Sequence, residues 1–129
     1  MVEKKRVLVV DDEPSILHII KIALGIAGYD IVTTTNGEAA LQLVQTQTFD
    51  IILLDILMLP LTGFDVLKRL REFSQIPVIA MTAKNDLGAR ALKEGANDFV
   101  AKPFLPEQLV KKIEDNLDAH KSGSDTPNV

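Results

Sequence analysis

The segment DIILLDILMLPLTG, residues 50–63, is the clearest indication of the fold class. Residues 51–54 form a continuous apolar run without alternating polar positions, which is typical of a strand buried on both faces. Asp55 follows this run and is the single charged residue between Ile51 and Leu61. Because a buried carboxylate without partners loses its hydration, either Asp55 lies where the strand ends and reaches water, or it is held in apolar surroundings for chemistry.

The rest of the sequence repeats the same unit, a short apolar or β-branched strand followed by a helix. The predicted strands cover residues 6–10, 30–35, 50–54, 76–82 and 98–101. The predicted helices run from the DDEPS segment (11–15) to about residue 27, and over residues 37–46, 63–73, 86–95 and 105–117. Helix signals support these bounds: Asn36 can cap a helix start, Pro14 and Pro106 suit first turns, and Gly28 and Gly95 can end helices.

Five strand–helix units with buried strands predict an α/β protein in which helices cover both faces of a parallel sheet. Right-handed crossovers make this a doubly wound fold. The five-stranded, flavodoxin-like version has strand order 2-1-3-4-5, five flanking helices and a ligand crevice at the carboxyl ends of strands 1 and 3. We expect one domain over residues 1–118 and a flexible C-terminal tail or linker stub over residues 119–129, because the end of the chain is polar.

Composition excludes several kinds of site. The chain has no cysteine, so disulfides, thiolate chemistry and cysteine-based zinc sites are excluded, and its two histidines, His18 and His120, are too few for a histidine-rich metal site. The net charge of −4 provides no basic field, so we expect no direct nucleic-acid binding by this domain. The apolar run at residues 7–10 is too short for a signal-peptide core or a membrane span, and we expect a cytoplasmic protein.

Polar residues stand at the ends of four predicted strands. They are Asp11 and Asp12 after strand 1, Asp55 after strand 3, Thr82 at the end of strand 4 and Lys102 after strand 5. Carboxyl ends of parallel strands meet at one edge of the sheet, so these side chains should surround the crevice. Neighbouring carboxylates repel one another, and a divalent cation that prefers oxygen ligands, Mg²⁺ or Mn²⁺, relieves the repulsion. A metal-bound carboxylate beside a lysine and a threonine hydroxyl suits phosphoryl transfer to the carboxylate.

Four segments make the sequence resemble the receiver domain of two-component response regulators. They are VLVVDDEP (7–14), DIILLDILMLPLTGFDVL (50–67), PVIAMTAK (77–84) and GANDFVAKPF (95–104). The resemblance spans residues 5 to about 118 with regular spacing. It implies a phosphorylation-operated switch, in which a histidine kinase, a phosphotransfer protein or a small phosphodonor supplies the phosphoryl group. The implied chemistry is self-catalysed aspartyl phosphorylation and slow autodephosphorylation rather than turnover of a separate substrate.

The resemblance also implies roles for individual residues. Asp55 would be the phosphoacceptor, Lys102 the phosphate-binding lysine, Thr82 the switch hydroxyl and Phe99 the switch aromatic. Phosphorylation adds about −1.5 to −2 charge, which should attract the Thr82 hydroxyl and let Phe99 enter the vacated space. The surface of the fourth helix, fifth strand and fifth helix would then change. The peptide bond before Pro103 is expected to be cis.

The implied metal site depends on an atypical loop. Asp12, Asp55 and the backbone carbonyl of Leu57 would bind Mg²⁺ directly, and Asp11 would act mainly through water. In the family, proline usually stands four residues after the phosphorylated aspartate, whereas here it stands one position later, at Pro60. This departure leaves the backbone path of the loop, and with it the position of the carbonyl at residue 57, open.

Three other functions compete with this hypothesis. A Mg²⁺-dependent phosphatase with an aspartate nucleophile needs a general acid two residues later, where this chain has Leu57. A flavodoxin-like cofactor binder needs a hydroxyl- and glycine-rich phosphate loop after strand 1, where DDEP (11–14) would repel phosphate. A degenerate receiver that acts as a phosphorylation-independent interaction module stays open because of the altered loop, although all five polar residues are present.

Partners are predicted only by class. The resemblance implies a histidine kinase or phosphotransfer protein upstream, a downstream effector or output domain, and leaves open a homodimer that forms on phosphorylation. No membrane partner is expected.

His18 and the apolar loop 56–61 are interpreted without a role in the chemistry. His18 should lie on the outer face of the first helix, and the loop should either pack on its neighbours or form part of a partner surface.

Overall fold

The structure, a computed structural model, describes residues 3–125, with side chains to residue 120. In this part of the chain, five strands alternate with five helices. The strands are β1 (Arg6–Val10), β2 (Asp30–Thr34), β3 (Ile51–Asp55), β4 (Val78–Thr82) and β5 (Asp98–Ala101). The helices are α1 (Pro14–Ile26), α2 (Gly37–Thr46), α3 (Gly63–Arg71), α4 (Asn85–Lys93) and α5 (Pro106–Asp125). The predicted elements are therefore all present, and the one large difference is the end of α5.

Local side-chain signals explain where several helices begin and end. The Asn36 side chain accepts a hydrogen bond from the Ala39 amide at 2.9 Å and caps α2. Thr62 and Asp65 form a capping box at the start of α3. Gly28, with a φ of 96°, permits the left-handed turn that follows α1. These are short-range interactions, which is why the sequence could indicate the Asn36 cap and the turn at Gly28.

The last helix is longer than predicted. α5 spans 20 residues and continues to Asp125, whereas the polar composition predicts an end near residue 117. The polar composition did not predict this extension, because turns of a helix that lie beyond the packed part need no apolar residues. Their backbone groups pair with one another within the helix. The predicted tail over residues 119–129 overlaps the end of this helix. Residues 126–129 lie outside the described part of the chain, and the flexibility of the tail stays a prediction. In the described residues we find no helix with the length and apolarity needed to span a bilayer.

The five strands form one sheet in the order β2-β1-β3-β4-β5, with every neighbouring pair parallel. The predicted doubly wound fold class is thereby confirmed. The pairing register places Val10 beside Leu54, and Asp55 beside Met81. Thr82 is paired with Ala101 in turn. The carboxyl ends of β1, β3, β4 and β5 therefore lie side by side at one edge of the sheet.

Two apolar cores lie on opposite faces of the sheet, because alternate strand residues point to opposite sides. One core packs β1, β3 and β4 against α2, α3 and α4, and it includes Leu8, Ile52, Leu54, Ala80, Leu67 and Ala91. The other core packs the sheet against α1 and α5, and it includes Val9, Leu53, Met81, Ile20, Leu24 and Ile113. Strands buried on both faces hold their ends in place, and this positions the polar residues that follow them.

Candidate functional site

Three carboxylates meet at the carboxyl edge of the sheet. Asp11 follows β1 and is fully buried, whereas Asp55 is the last residue of β3 and is 4% exposed. Asp12, the next residue after Asp11, is exposed. Each of the three offers an oxygen atom within 4.8 Å of the others. The adjacency of β1 and β3 thus brings together acids that are more than forty residues apart along the chain, as the sequence predicts.

The Lys102 ammonium links two of these acids. It follows β5, and its Nζ lies 2.7 Å from Asp11 Oδ2 and 3.6 Å from Asp55 Oδ1. Burial of the ammonium lowers the pKa of Lys102, but the hydrogen bond to Asp11 and the attraction of Asp55 outweigh burial and raise that pKa above its ordinary value. Lys102 therefore stays protonated and provides a fixed positive charge beside Asp55.

One positive charge does not compensate the Asp55 carboxylate fully. Burial, followed by the negative charge of Asp11, raises the pKa of Asp55 from its ordinary value of 3.8 to about 6. The positive charge of Lys102 and a hydrogen bond from the Leu57 amide, at 3.3 Å, oppose this rise. The ionised carboxylate is therefore held at a free-energy cost, which a bound cation would reduce.

The backbone after Asp55 is held by contacts with two neighbouring elements. The Ile56 amide donates to the Met81 carbonyl at 3.1 Å, and the Gly63 amide donates to the Ile56 carbonyl at 2.9 Å. A Cβ atom at Gly63 would lie 2.6 Å from the Ile56 Cα, which is closer than real Cβ contacts allow. Glycine at this position thus lets the start of α3 pack directly on the chain that leaves β3.

The atypical apolar loop is divided between the core and the surface. Ile56 and Met58 are buried in the core between the sheet and α3, while Leu57 and Leu59 are 53% and 78% exposed. Leu61 packs against the same core. Alternate residues of the loop thus pack inward and face solvent, so packing on neighbours is confirmed for Ile56, Met58 and Leu61, whereas a partner surface at Leu57 and Leu59 stays a prediction. The role of the Leu57 carbonyl as a metal ligand stays a prediction.

Thr82 and Phe99 lie on the side of the sheet that faces α4. Thr82 is 1% exposed, and its hydroxyl oxygen accepts a hydrogen bond from the Lys84 amide at 3.1 Å. The Thr82 carbonyl also accepts a hydrogen bond from the Lys102 amide at 2.9 Å, which joins the ends of β4 and β5. Phe99 is half-buried and packs against the core under α4. The two residues predicted for the switch therefore lie on neighbouring strands beneath α4, and their switching stays a prediction.

Sequence reasoning missed one residue at this site, Gly88. It lies inside α4, and the Phe99 ring occupies the space that a side chain at this position would need. The available signal was a glycine inside a predicted helix, which is unfavourable without a packing reason. By contrast, His18 is exposed on α1 as predicted. The peptide bond before Pro103 is cis, and so is the bond before Pro60 in the atypical loop.

Comparison with known proteins agrees with this geometry. The family model described as the response regulator receiver domain matches residues 7–114. A probable transcriptional regulator, ycf27, from Cyanophora paradoxa is 42% identical over 87% of this chain and 48% of its own length. The DNA-binding response regulator MtrA from Mycolicibacterium smegmatis is 37% identical over 88% of this chain and 51% of its own length. The chain therefore spans about half the length of these curated relatives.

Solved structures show the same architecture over nearly the whole chain. The chemotaxis protein CheY4 from Vibrio cholerae is 33% identical, with a TM-score of 0.83, and the similarity covers 88% of this chain and 99% of that protein. The receiver domain of the Francisella response regulator 1452 is 31% identical, with a TM-score of 0.85, over 91% of this chain and 99% of that chain. By sequence and by fold, this chain belongs to the response regulator receiver domain family of two-component systems.

Proposed function

We propose that this receiver domain is a Mg²⁺-dependent phosphoacceptor switch and that Asp55 accepts the phosphoryl group. The observation that carries the proposal is the position of the Asp55 carboxylate, which lies within the acidic cluster and 3.6 Å from the Lys102 ammonium. A nucleophilic oxygen, two neighbouring acids and a fixed positive charge at one strand edge are the groups that phosphoryl transfer needs.

The donor set fits a hard divalent cation. Asp11, Asp12 and Asp55 offer carboxylate oxygens within 4.8 Å of one another, and oxygen is the ligand that Mg²⁺ and Mn²⁺ prefer. When bound, the ion supplies positive charge to the phosphoryl oxygens. Asp11 already accepts hydrogen bonds from Lys102 and from the Glu13 amide, so Asp12 and Asp55 are the better direct ligands.

The transfer step is a displacement at phosphorus. One carboxylate oxygen of Asp55 forms the new bond to phosphorus while the bond to the donor breaks, and the leaving atom keeps the bonding electron pair and takes a proton. With a phosphohistidine donor the leaving atom is an imidazole nitrogen. Lys102, which is protonated and close to Asp55, stabilises the negative charge on the phosphoryl oxygens. Attack of water on the aspartyl phosphate later releases phosphate and restores the carboxylate.

The switch step acts through Thr82. A phosphoryl group on Asp55 adds about −1.5 to −2 charge near the Thr82 hydroxyl, which then becomes a hydrogen-bond donor to a phosphoryl oxygen. The hydroxyl would move from its present contact with the Lys84 amide, and Phe99 would follow. The surface formed by α4, β5 and α5 changes as a result, and this is where we place the readout.

The partners are proposed from the family and from the names of the relatives. A histidine kinase or a phosphotransfer protein is the proposed donor. Since the relatives are about twice as long, and are named as a probable transcriptional regulator and a DNA-binding response regulator, we propose that the signal passes to an output domain or a separate effector. A homodimer that forms on phosphorylation and the cytoplasmic location stay predictions from the sequence.

Intact-protein mass spectrometry tests the proposal. With acetyl phosphate or phosphoramidate and millimolar Mg²⁺, the chain should gain the mass of one phosphoryl group, and EDTA should abolish the gain. Asp55→Asn should remove it, whereas the exposed acid Asp118, changed to Asn as a matched control, should leave it intact. Equal labelling of Asp55→Asn would refute the assignment of the nucleophile. No labelling of the wild type would favour the phosphorylation-independent interaction module.

A further inference from the structure

Gly88 is buried in the middle of α4, a place where alanine would normally give a more stable helix. A Cβ atom built at this position would lie 2.6 Å from Phe99 Cε2 and 2.7 Å from Phe99 Cγ. Gly25 in α1 gives the opposite result, because a Cβ atom there would meet nothing within 4 Å. Packing therefore requires a glycine at position 88, where the aromatic ring from β5 fills the space of a side chain, and does not require one at position 25.

Two hydrogen bonds join this packing contact to Thr82. The Thr82 hydroxyl oxygen accepts from the Lys84 amide at 3.1 Å, and the Lys84 carbonyl accepts from the Gly88 amide at 3.1 Å. Only Ala83 and Lys84 separate β4 from α4, and the Lys84 side chain makes no capping hydrogen bond. The Thr82 hydroxyl is therefore the side-chain acceptor that holds the residue at the start of α4, one helical turn before the Phe99 contact.

We propose that Gly88 is a positioning residue of the switch, because it lets the Phe99 ring lie against α4 only while the start of α4 is held by Thr82. The inference rests on the proposed function. When the Thr82 hydroxyl turns to a phosphoryl oxygen, the Lys84 amide loses its acceptor and the first turn of α4 is free to shift. Gly88 then moves relative to the ring, and a displacement at Thr82 becomes a change in Phe99.

A purely structural role for Gly88 predicts a loss of stability and nothing more. The proposed role predicts in addition that filling this space shifts the protein toward its phosphorylated arrangement before any phosphoryl group is added. The proposed role also assigns the reactive geometry of Asp55 to that arrangement, so a larger population of it should make Asp55 react faster with a small phosphodonor.

Thermal unfolding of four variants tests the contact itself. Gly25→Ala should raise Tm, as expected for alanine in an open helical position, whereas Gly88→Ala should lower it. In a Phe99→Ala background, which has no ring, Gly88→Ala should raise Tm as Gly25→Ala does. A higher Tm for Gly88→Ala in the wild-type background would overturn the proposal. If Gly88→Ala alone does not fold, folding of the double variant supports the contact, and failure of the double variant overturns it.

Amide ¹H–¹⁵N spectra and phosphoramidate labelling test the regulatory part. Without a phosphodonor, Gly88→Ala should move the amide signals of α4 and β5 toward the positions that the wild type takes after labelling. Its labelling at Asp55 should be several-fold faster than that of the wild type or of Gly25→Ala. A lower Tm with wild-type spectra and a wild-type labelling rate would overturn the proposal. Absence of labelling in the wild type would refute the proposed function, and the regulatory role of Gly88 with it.

Discussion

Replacing Asp55 by asparagine should stabilise the metal-free protein at neutral pH, although it removes the nucleophile. The carboxylate is 4% exposed and lies beside Asp11, and Lys102 compensates its charge only in part. Asparagine has nearly the same size, and its side-chain oxygen can still accept the hydrogen bond from the Leu57 amide. The substitution therefore removes the buried charge with little change in packing.

The pKa of Asp55 determines the size and the sign of the effect. Folding raises this pKa from 3.8 to about 6, a difference of about 2 units at 1.36 kcal/mol per unit, so ionisation costs the folded state on the order of 3 kcal/mol. Because the folded protein holds this proton more tightly than the unfolded chain, the wild type loses stability as the pH rises from about 4 to about 6. The gain from asparagine is complete above that window and absent below it.

Urea or thermal unfolding in EDTA at several pH values measures this gain. For a chain of 129 residues, 3 kcal/mol corresponds to about 10 °C in Tm. We expect Asp55→Asn to unfold about 10 °C above the wild type at pH 7 and at nearly the same temperature at pH 3.5. The exposed Asp118, changed to asparagine, is the matched control and should produce no such gain.

Two results would contradict this reasoning. An Asp55→Asn variant no more stable than the wild type at pH 7 in EDTA would mean that Lys102 compensates the carboxylate fully. A gain of equal size at pH 3.5 would mean that the stabilisation comes from packing or hydrogen bonding and not from the removal of charge. Either outcome would also weaken the argument that the acidic cluster needs a cation.

The remaining predictions concern the metal, the loop and β5. Millimolar Mg²⁺ should raise the Tm of the wild type, since it relieves carboxylate repulsion, and an unchanged melting curve would count against the metal site. Gly63→Ala should cost about 2 kcal/mol or more in urea unfolding, because its Cβ would lie 2.6 Å from the Ile56 Cα. Burial raises the pKa of Asp98, but hydrogen bonds from Asn116 and Lys112 outweigh it and lower that pKa. Asp98→Asn should therefore destabilise the protein at pH 7, and the difference should shrink as the pH falls below about 4, where the wild type loses this contribution.

Several features of the fold could be predicted because their causes are local in the sequence. The run at residues 51–54 is apolar at every position, and a strand with this pattern must be covered on both faces. The Asn36 cap and the turn at Gly28 depend on residues within one helical turn, and both were found where expected. The end of α5 could not be predicted, since polar residues after residue 117 are compatible with a helix or with a coil.

The features of the site can be separated in the same way, into those with local causes in the sequence and those that depend on packing. That acids and a lysine follow strands is visible in the sequence, and a parallel sheet then places them at one edge. That Lys102 lies closer to Asp11, at 2.7 Å, than to Asp55, at 3.6 Å, was not visible, because it depends on the offset between strands that are remote in the chain. The contact between Gly88 and Phe99 was not visible either, since it depends on how closely α4 packs on β5.

Hydrophobic pattern alone predicted a parallel sheet with polar residues at its carboxyl edge, and the usual order of five-stranded doubly wound sheets supplied the strand order. Hydrophobic pattern and strand ends are properties of short segments, so they can be recognised without knowing how the elements pack. The folded arrangement alone shows how deeply Asp55 is buried, which acid lies nearest to Lys102, and how the start of α4 is tied to Thr82. These depend on distances of a few ångströms between elements remote in the chain, and close packing of the two cores sets those distances.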